Sequence, residues 1–97
     1  MEPRYYVLHA KKGYEHVEEA CNHILHTFEL SGVFSEALMS RIYKHTLLIQ
    51  NSMENNDQNE AIKQQDEFIK LLDTYNIFSD KFKTSIRVLI YSATTKR

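Results

Sequence analysis

The apolar positions of this chain recur with the period of an α-helix almost from end to end. Between positions 14 and 30, Val17, Ala20, Cys21, Ile24, Leu25 and Phe28 fall at i, i+3, i+4, i+7, i+8 and i+11, one unbroken stripe. From Ser35 to about Asn55, Leu38, Ile42, His45, Ile49 and Met53 share a face, with Leu47 and Leu48 lying off it. A polar break at 55–59 precedes a third helix that runs to about Tyr75, with Ala61, Phe68, Ile69, Leu72 and Tyr75 inward. Gln65 interrupts that face, and a buried amide there needs hydrogen-bond partners. The fourth stripe comprises Phe82, Ile86, Leu89, Ile90 and Ala93, and residues 94–97 are expected to fray.

The helix boundaries carry their own signals. Ser35 is placed to cap the second helix, Glu36 sits in the first turn where the helix dipole favours an anion, and Phe34 with Met39 has hydrophobic-staple spacing. Gly32 is suited to close the first helix in the left-handed conformation. Asp57 and Glu60 have capping-box spacing, Asn76 ends the third helix and Ser79 caps the fourth. The order Val33-Phe34-Ser35-Glu36 is echoed by Ile77-Phe78-Ser79-Asp80, which suggests two helix-turn-helix units. Short connections favour an all-α fold, an up-down bundle of four helices over residues 14–93. The N-terminal arm, residues 1–13, is the exception. Tyr5, Val7 and His9 alternate with Tyr6, Leu8 and Ala10 as in a strand, yet no partner strand is visible. It is read either as an arm lying on the bundle or as a segment pairing with another subunit.

Composition narrows the picture. A chain of 97 residues is one domain, small enough that dimerisation would add useful stability. Two glycines and one proline are too few for a β-sandwich or barrel. A net charge of −1 gives no global pull toward nucleic acid or membrane. The lone Cys21 can form no intrachain disulfide, and the first residues lack the apolar core of a secretion signal, so a soluble, cytoplasmic protein is expected.

With the helices placed, residues 24–93 resemble the FIMAH domain. The resemblance is carried by Phe28-Glu29-Leu30-Ser31-Gly32-Val33-Phe34-Ser35, then Lys44-His45, Ala61-Ile62-Lys63, Phe68-Ile69-Lys70-Leu71-Leu72-Asp73 and Phe78-Ser79-Asp80-Lys81. That family is a small helical module, usually an appended segment of secreted enzymes in Bacillus-type bacteria. The resemblance implies a non-catalytic accessory or binding role and transfers no catalytic residue.

Candidate chemistry is sparse. His16, Glu19, His23 and His26 share one side of the first helix, but Cys21 points to the opposite side and no CxxC or HExxH pattern is present, so a solvated polar face is the expectation and a metal site the alternative. Cys21, inside the apolar stripe, reads as a core residue. His45 is expected to be buried or half-buried and bonded through one ring nitrogen, the alternative being a pH-sensitive joint. No phosphate loop or nucleophile elbow occurs, and no enzyme activity or cofactor is expected.

Charge is nevertheless uneven. Residues 54–73 hold six acids against Lys63 and Lys70, and residues 80–97 hold five bases against Asp80. Lys83 and Arg87, at i and i+4, form a small basic patch. The two helices are expected to balance each other, with an acidic protein surface as the alternative use of the patch.

Tyr5, Tyr6, Tyr14, Tyr43, Leu47 and Leu48 exceed what the inner stripes need. Either the arm covers the Tyr43/Leu47 side or that side docks a protein partner or a second copy. The function expected from sequence is therefore a non-enzymatic protein–protein interaction module using Tyr43, Leu47, Leu48, Tyr5, Tyr6, Lys83 and Arg87. Its rivals are a small DNA- or RNA-associated regulator using the basic fourth helix and a His-rich metal-binding protein.

Overall fold

A computed structural model describes residues 7–31, 35–75 and 78–95. Over these residues the chain forms four α-helices: α1 (Glu15–Leu30), α2 (Glu36–Glu54), α3 (Gln58–Thr74) and α4 (Asp80–Thr94). Each helix packs on the next, α4 returns to close against α1, and α2 also touches α4 across the diagonal. Contacts between helix starts and helix ends set the direction of neighbours. His16 at the start of α1 meets Thr95 after the end of α4, and Gln58 at the start of α3 meets Thr94. Phe28 near the end of α1 meets Phe82 at the start of α4. The fold is the all-α up-down bundle that the periodicity predicts.

Local chemistry explains the boundaries. Ser35 Oγ accepts the Leu38 amide at 3.1 Å, and Ser79 Oγ accepts the Phe82 amide at 3.1 Å, so the two echoing serines do cap their helices. Asp57 Oδ1 accepts the Glu60 amide at 3.1 Å. The α2–α3 turn is tighter than a polar break suggests. Asn56 adopts φ +55°, its amide reaches Met53 O at 3.0 Å, and the Asp57 amide reaches Ser52 O at 2.9 Å. This is a Schellman closure, and Asp57 thus ends one helix and caps the next. Gly32 and the Phe34–Met39 staple, and likewise Asn76, lie outside the described residues.

The core follows the stripes with instructive shifts. In α1 the buried residues are Val17, Ala20, Cys21, Ile24, Leu25 and Phe28, the predicted set. In α2 the buried face is centred on Thr46 rather than His45, with Leu38, Met39, Ile42, Ile49, Gln50, Ser52 and Met53 around it. Thr46 and Ser52 escaped prediction because a hydroxyl hides its polarity by bonding a carbonyl of its own helix, here Tyr43 O at 2.7 Å and Leu48 O at 2.8 Å. In α3 it is Gln64 that is buried, its amide donating to Glu60 Oε1 at 2.8 Å. Gln65 is half-buried and accepts from the Thr94 hydroxyl at 2.8 Å.

The two ends of the bundle differ. At one end Phe28 sits among Phe68, Phe78 and Phe82, with ring centroids 6.5, 5.4 and 5.2 Å away, and Phe78 stacks on Phe82 at 4.9 Å. At the other end polar side chains tie down the last carbonyls of α4. Gln58 Nε2 donates to Thr94 O at 3.0 Å, and His16 Nε2 lies 3.2 Å from Thr95 O.

Residues 7–13 form no regular element. They lie along the α1–α2 seam as an extended strap, ended by a turn in which the Tyr14 amide bonds Lys11 O at 3.0 Å. Gly13 occupies the third position of that turn at φ +99°, a conformation other residues rarely adopt. Leu8 is only 2% exposed and joins the core.

Candidate functional site

The residues proposed from sequence as a docking surface are placed as follows. Tyr43, Leu47 and Leu48 are half-buried, and Tyr43 and Leu47 pack against the core cluster. Farther along the same side of α2, Gln50 donates to His9 O at 3.0 Å and Glu54 accepts the Lys11 amide. The strap therefore crosses the stripe that Tyr43 and Leu47 begin. Tyr5 and Tyr6 lie outside the described residues.

Lys83 and Arg87 are brought together, but on Asp73 of α3. Arg87 Nη2 lies 3.1 Å and Lys83 Nζ 3.9 Å from Asp73 Oδ1. The excess charges of α3 and α4 meet across their seam at this carboxylate. Asp73 itself is largely open to solvent, so these pairs contribute about 0–1 kcal/mol each, and their chief effect is to occupy the basic patch.

The histidine side of α1 does not face open solvent as a whole. His16 and His26 are half-buried, and His16, Glu19 and His23 line a depression of about 230 Å³ with Ala20, Leu89 and Ser92. Among the described residues no group of three His, Cys, Asp or Glu side chains is placed to hold a metal ion. Cys21 is fully buried, with Sγ 3.7 Å from Thr46 O, and burial pushes its thiol up to about 12. A thiol so far from ionisation is a packing group rather than a nucleophile.

His45 is half-buried at the edge of the core, its ring centroid 5.6 Å from that of Phe68. Its Nδ1 is buried with no hydrogen-bond partner, so the expected ring-nitrogen bond is not made there. Desolvation lowers its pKa below 6.5, against an opposing pull from Glu67 and with help from Lys44 and Arg41. The sign follows from linkage: the unfolded chain takes up the proton more readily than the folded one. The contribution of His45 is fully present above about 6.5 and is lost as pH falls through that value toward the folded pKa. Chemical denaturation at about pH 8 and about pH 5 is expected to show wild type losing more stability on acidification than His45→Gln. Equal losses would remove His45 from the pH response.

Among the described residues the exposed large apolar side chains include Leu30 at the end of α1 and Ile62 on α3, but two lie one turn apart on α4, where sequence reasoning did not place them. Val88 is 60% exposed and Tyr91 49%. Val88 and Leu89, with Thr84 and Ser85, form one wall of a groove of about 500 Å³ whose other wall is His23 and Thr27 of α1. His23 and Leu89 also line the smaller depression, so the two make one continuous trough along the α1–α4 seam. Its sequence signal was present but weak: from Val88 to Thr95 the chain carries no charge.

Comparison with protein-family models, with curated proteins and with solved structures finds no match to this chain. Among the described residues no helix is long and apolar enough to cross a membrane.

Proposed function

We propose that this chain is a non-enzymatic helical interaction module whose docking surface is the α1–α4 trough and whose partner there is a second copy of itself. The observation that carries this reading is the exposed, uncharged wall of α4, Thr84, Ser85, Val88 and Ser92, on a groove already shaped between two helices, with the exposed Tyr91 one turn beyond Val88. An apolar patch left open on a domain this small marks an interaction site more readily than an accident of packing. The opposite rim favours a like partner. On α1, Glu19 lies between His16 and His23, an acid flanked by two bases. Two such rims brought together antiparallel, with a two-fold axis midway between Glu19 and His23, set each Glu19 against His23 of the other copy, so the surface is complementary to itself in that register.

The alternatives find less support. Lys83 and Arg87, on which a nucleic-acid reading rests, are engaged by Asp73. A histidine metal site lacks a third converging ligand among the described residues. The resemblance of residues 24–93 to the FIMAH domain agrees with a non-catalytic accessory role, while the lone Cys21, which can form no intrachain disulfide, favours a reducing, cytoplasmic setting over the secreted setting of that family.

The test is light scattering after size exclusion over a range of concentrations. Wild type is expected to form a dimer that Val88→Lys and Tyr91→Ser each weaken by about tenfold or more, while their thermal stabilities stay within about 0.5 kcal/mol of wild type. A wild-type chain that remains monomeric at all concentrations overturns the reading.

A further inference from the structure

The strap is bound as an extended peptide would be. Asn22 of α1 meets Leu8 in both directions, its Oδ1 accepting the Leu8 amide at 2.7 Å and its Nδ2 donating to Leu8 O at 2.9 Å. Glu18 Oε2 accepts the Ala10 amide at 2.7 Å. From α2, Gln50 donates to His9 O and Glu54 accepts the Lys11 amide. Four side chains on two helices thus satisfy five backbone groups of residues 8–11, and only Leu8 inserts into the core. Backbone contacts with one apolar anchor are the terms on which extended peptides are recognised at sheet edges. Here helix side chains do the work of the missing strand. Charge is also complementary, since Lys11 and Lys12 follow the anchor where Glu15, Glu18 and Glu54 gather.

We infer that the α1–α2 seam is a clamp for an extended peptide, filled by the chain's own strap in the monomer and able to take the strap of a second copy by exchange. The joint that permits exchange is the Lys11–Tyr14 turn. It depends on Gly13 at φ +99°, and a Cβ at Gly13 meets nothing within 4 Å. A side chain there is opposed by backbone strain rather than by crowding. Opening the turn swings residues 7–12 away from their own seam while leaving the bundle whole. Every bond that holds residues 8–11 can re-form unchanged on the seam of another copy, which is the condition for domain swapping at a hinge. The closed form has the advantage of proximity, so exchange is held in check by the glycine.

The experiment uses full-length protein carrying Val88→Lys, which separates this inference from pairing through the α1–α4 trough. Adding Gly13→Val is expected to tighten dimerisation by about tenfold or more. Hydrogen exchange is expected to find the Ala10 and Lys11 amides still protected in that dimer. Adding Leu8→Ser as well is expected to return a monomer in which both amides exchange freely. A Gly13→Val chain that stays monomeric, whether its strap amides are protected or exposed, overturns the proposal. So does a dimer that survives Leu8→Ser. Failure of the trough itself is read separately, from Val88→Lys against wild type.

Discussion

Replacing Phe28 with alanine is expected to cost about 3–5 kcal/mol, as truncation of a fully buried aromatic ring does. The figure sits at the upper end because of what the ring touches. Phe28 is 0% exposed and meets Phe78 and Phe82 edge-on, at interplanar angles of 86° and 85°, and Phe68 at a tilt. Those partners come from α3, α4 and the segment between them, so the ring is the point at which α1 is joined to the second half of the chain. Edge-to-face pairs add about 0.5–1.5 kcal/mol beyond area burial. A domain of this size has about 5–15 kcal/mol in total, so the melting temperature is expected to fall by roughly 20 °C. Denaturant titration followed by circular dichroism measures it. A loss below about 1 kcal/mol would mean that Phe78 and Phe82 collapse into the space and that the cluster does not join the helices.

The double change Tyr43→Ser and Leu47→Ser is expected to cost about 2 kcal/mol of stability, roughly half of what burying two large side chains completely contributes. Both side chains are half-buried against the core, beside the part of α2 that the strap crosses. Their surface is thus largely used within the chain. Dimerisation, by contrast, is expected to keep the wild-type dissociation constant if the proposed docking trough on the α1–α4 side is the interface. Light scattering and thermal melts on the same samples separate the two readings. Unchanged stability with lost association would return the docking role to the Tyr43/Leu47 stripe.

Much of the proposed site is not legible in the sequence, for one reason. A helix stripe states which residues face inward, but not which neighbouring side chains will cover the flanks. Leu47 and Tyr43 look surplus in a one-helix projection and are absorbed once α2 has neighbours and a strap beside it. Val88 and Tyr91 looked unremarkable and stay uncovered because α4 turns that face away from α2 and α3. The balance expected between the acids of α3 and the bases of α4 is made at one carboxylate that the sequence could not single out, Asp73, 14 residues before Arg87.

The sequence by itself determined four helices, the caps at Ser35, Asp57 and Ser79, and the whole inward face of α1. These are local matters: a cap acts over three residues, and a 3.6-residue period repeats whatever the surroundings. Tertiary structure alone decided that Thr46 rather than His45 centres the α2 face, that the strap lies along α1 and α2, and that the α1–α4 trough stays open. Each depends on groups far apart in sequence, as in the bonds of Leu8 to Asn22, 14 residues on, and of Lys11 to Glu54, 43 residues on. No periodicity encodes such pairs. They arise when packed helices bring an amide, a carboxylate and an unpaired backbone group within hydrogen-bond reach, where leaving any of them unpaired would cost about 1–3 kcal/mol.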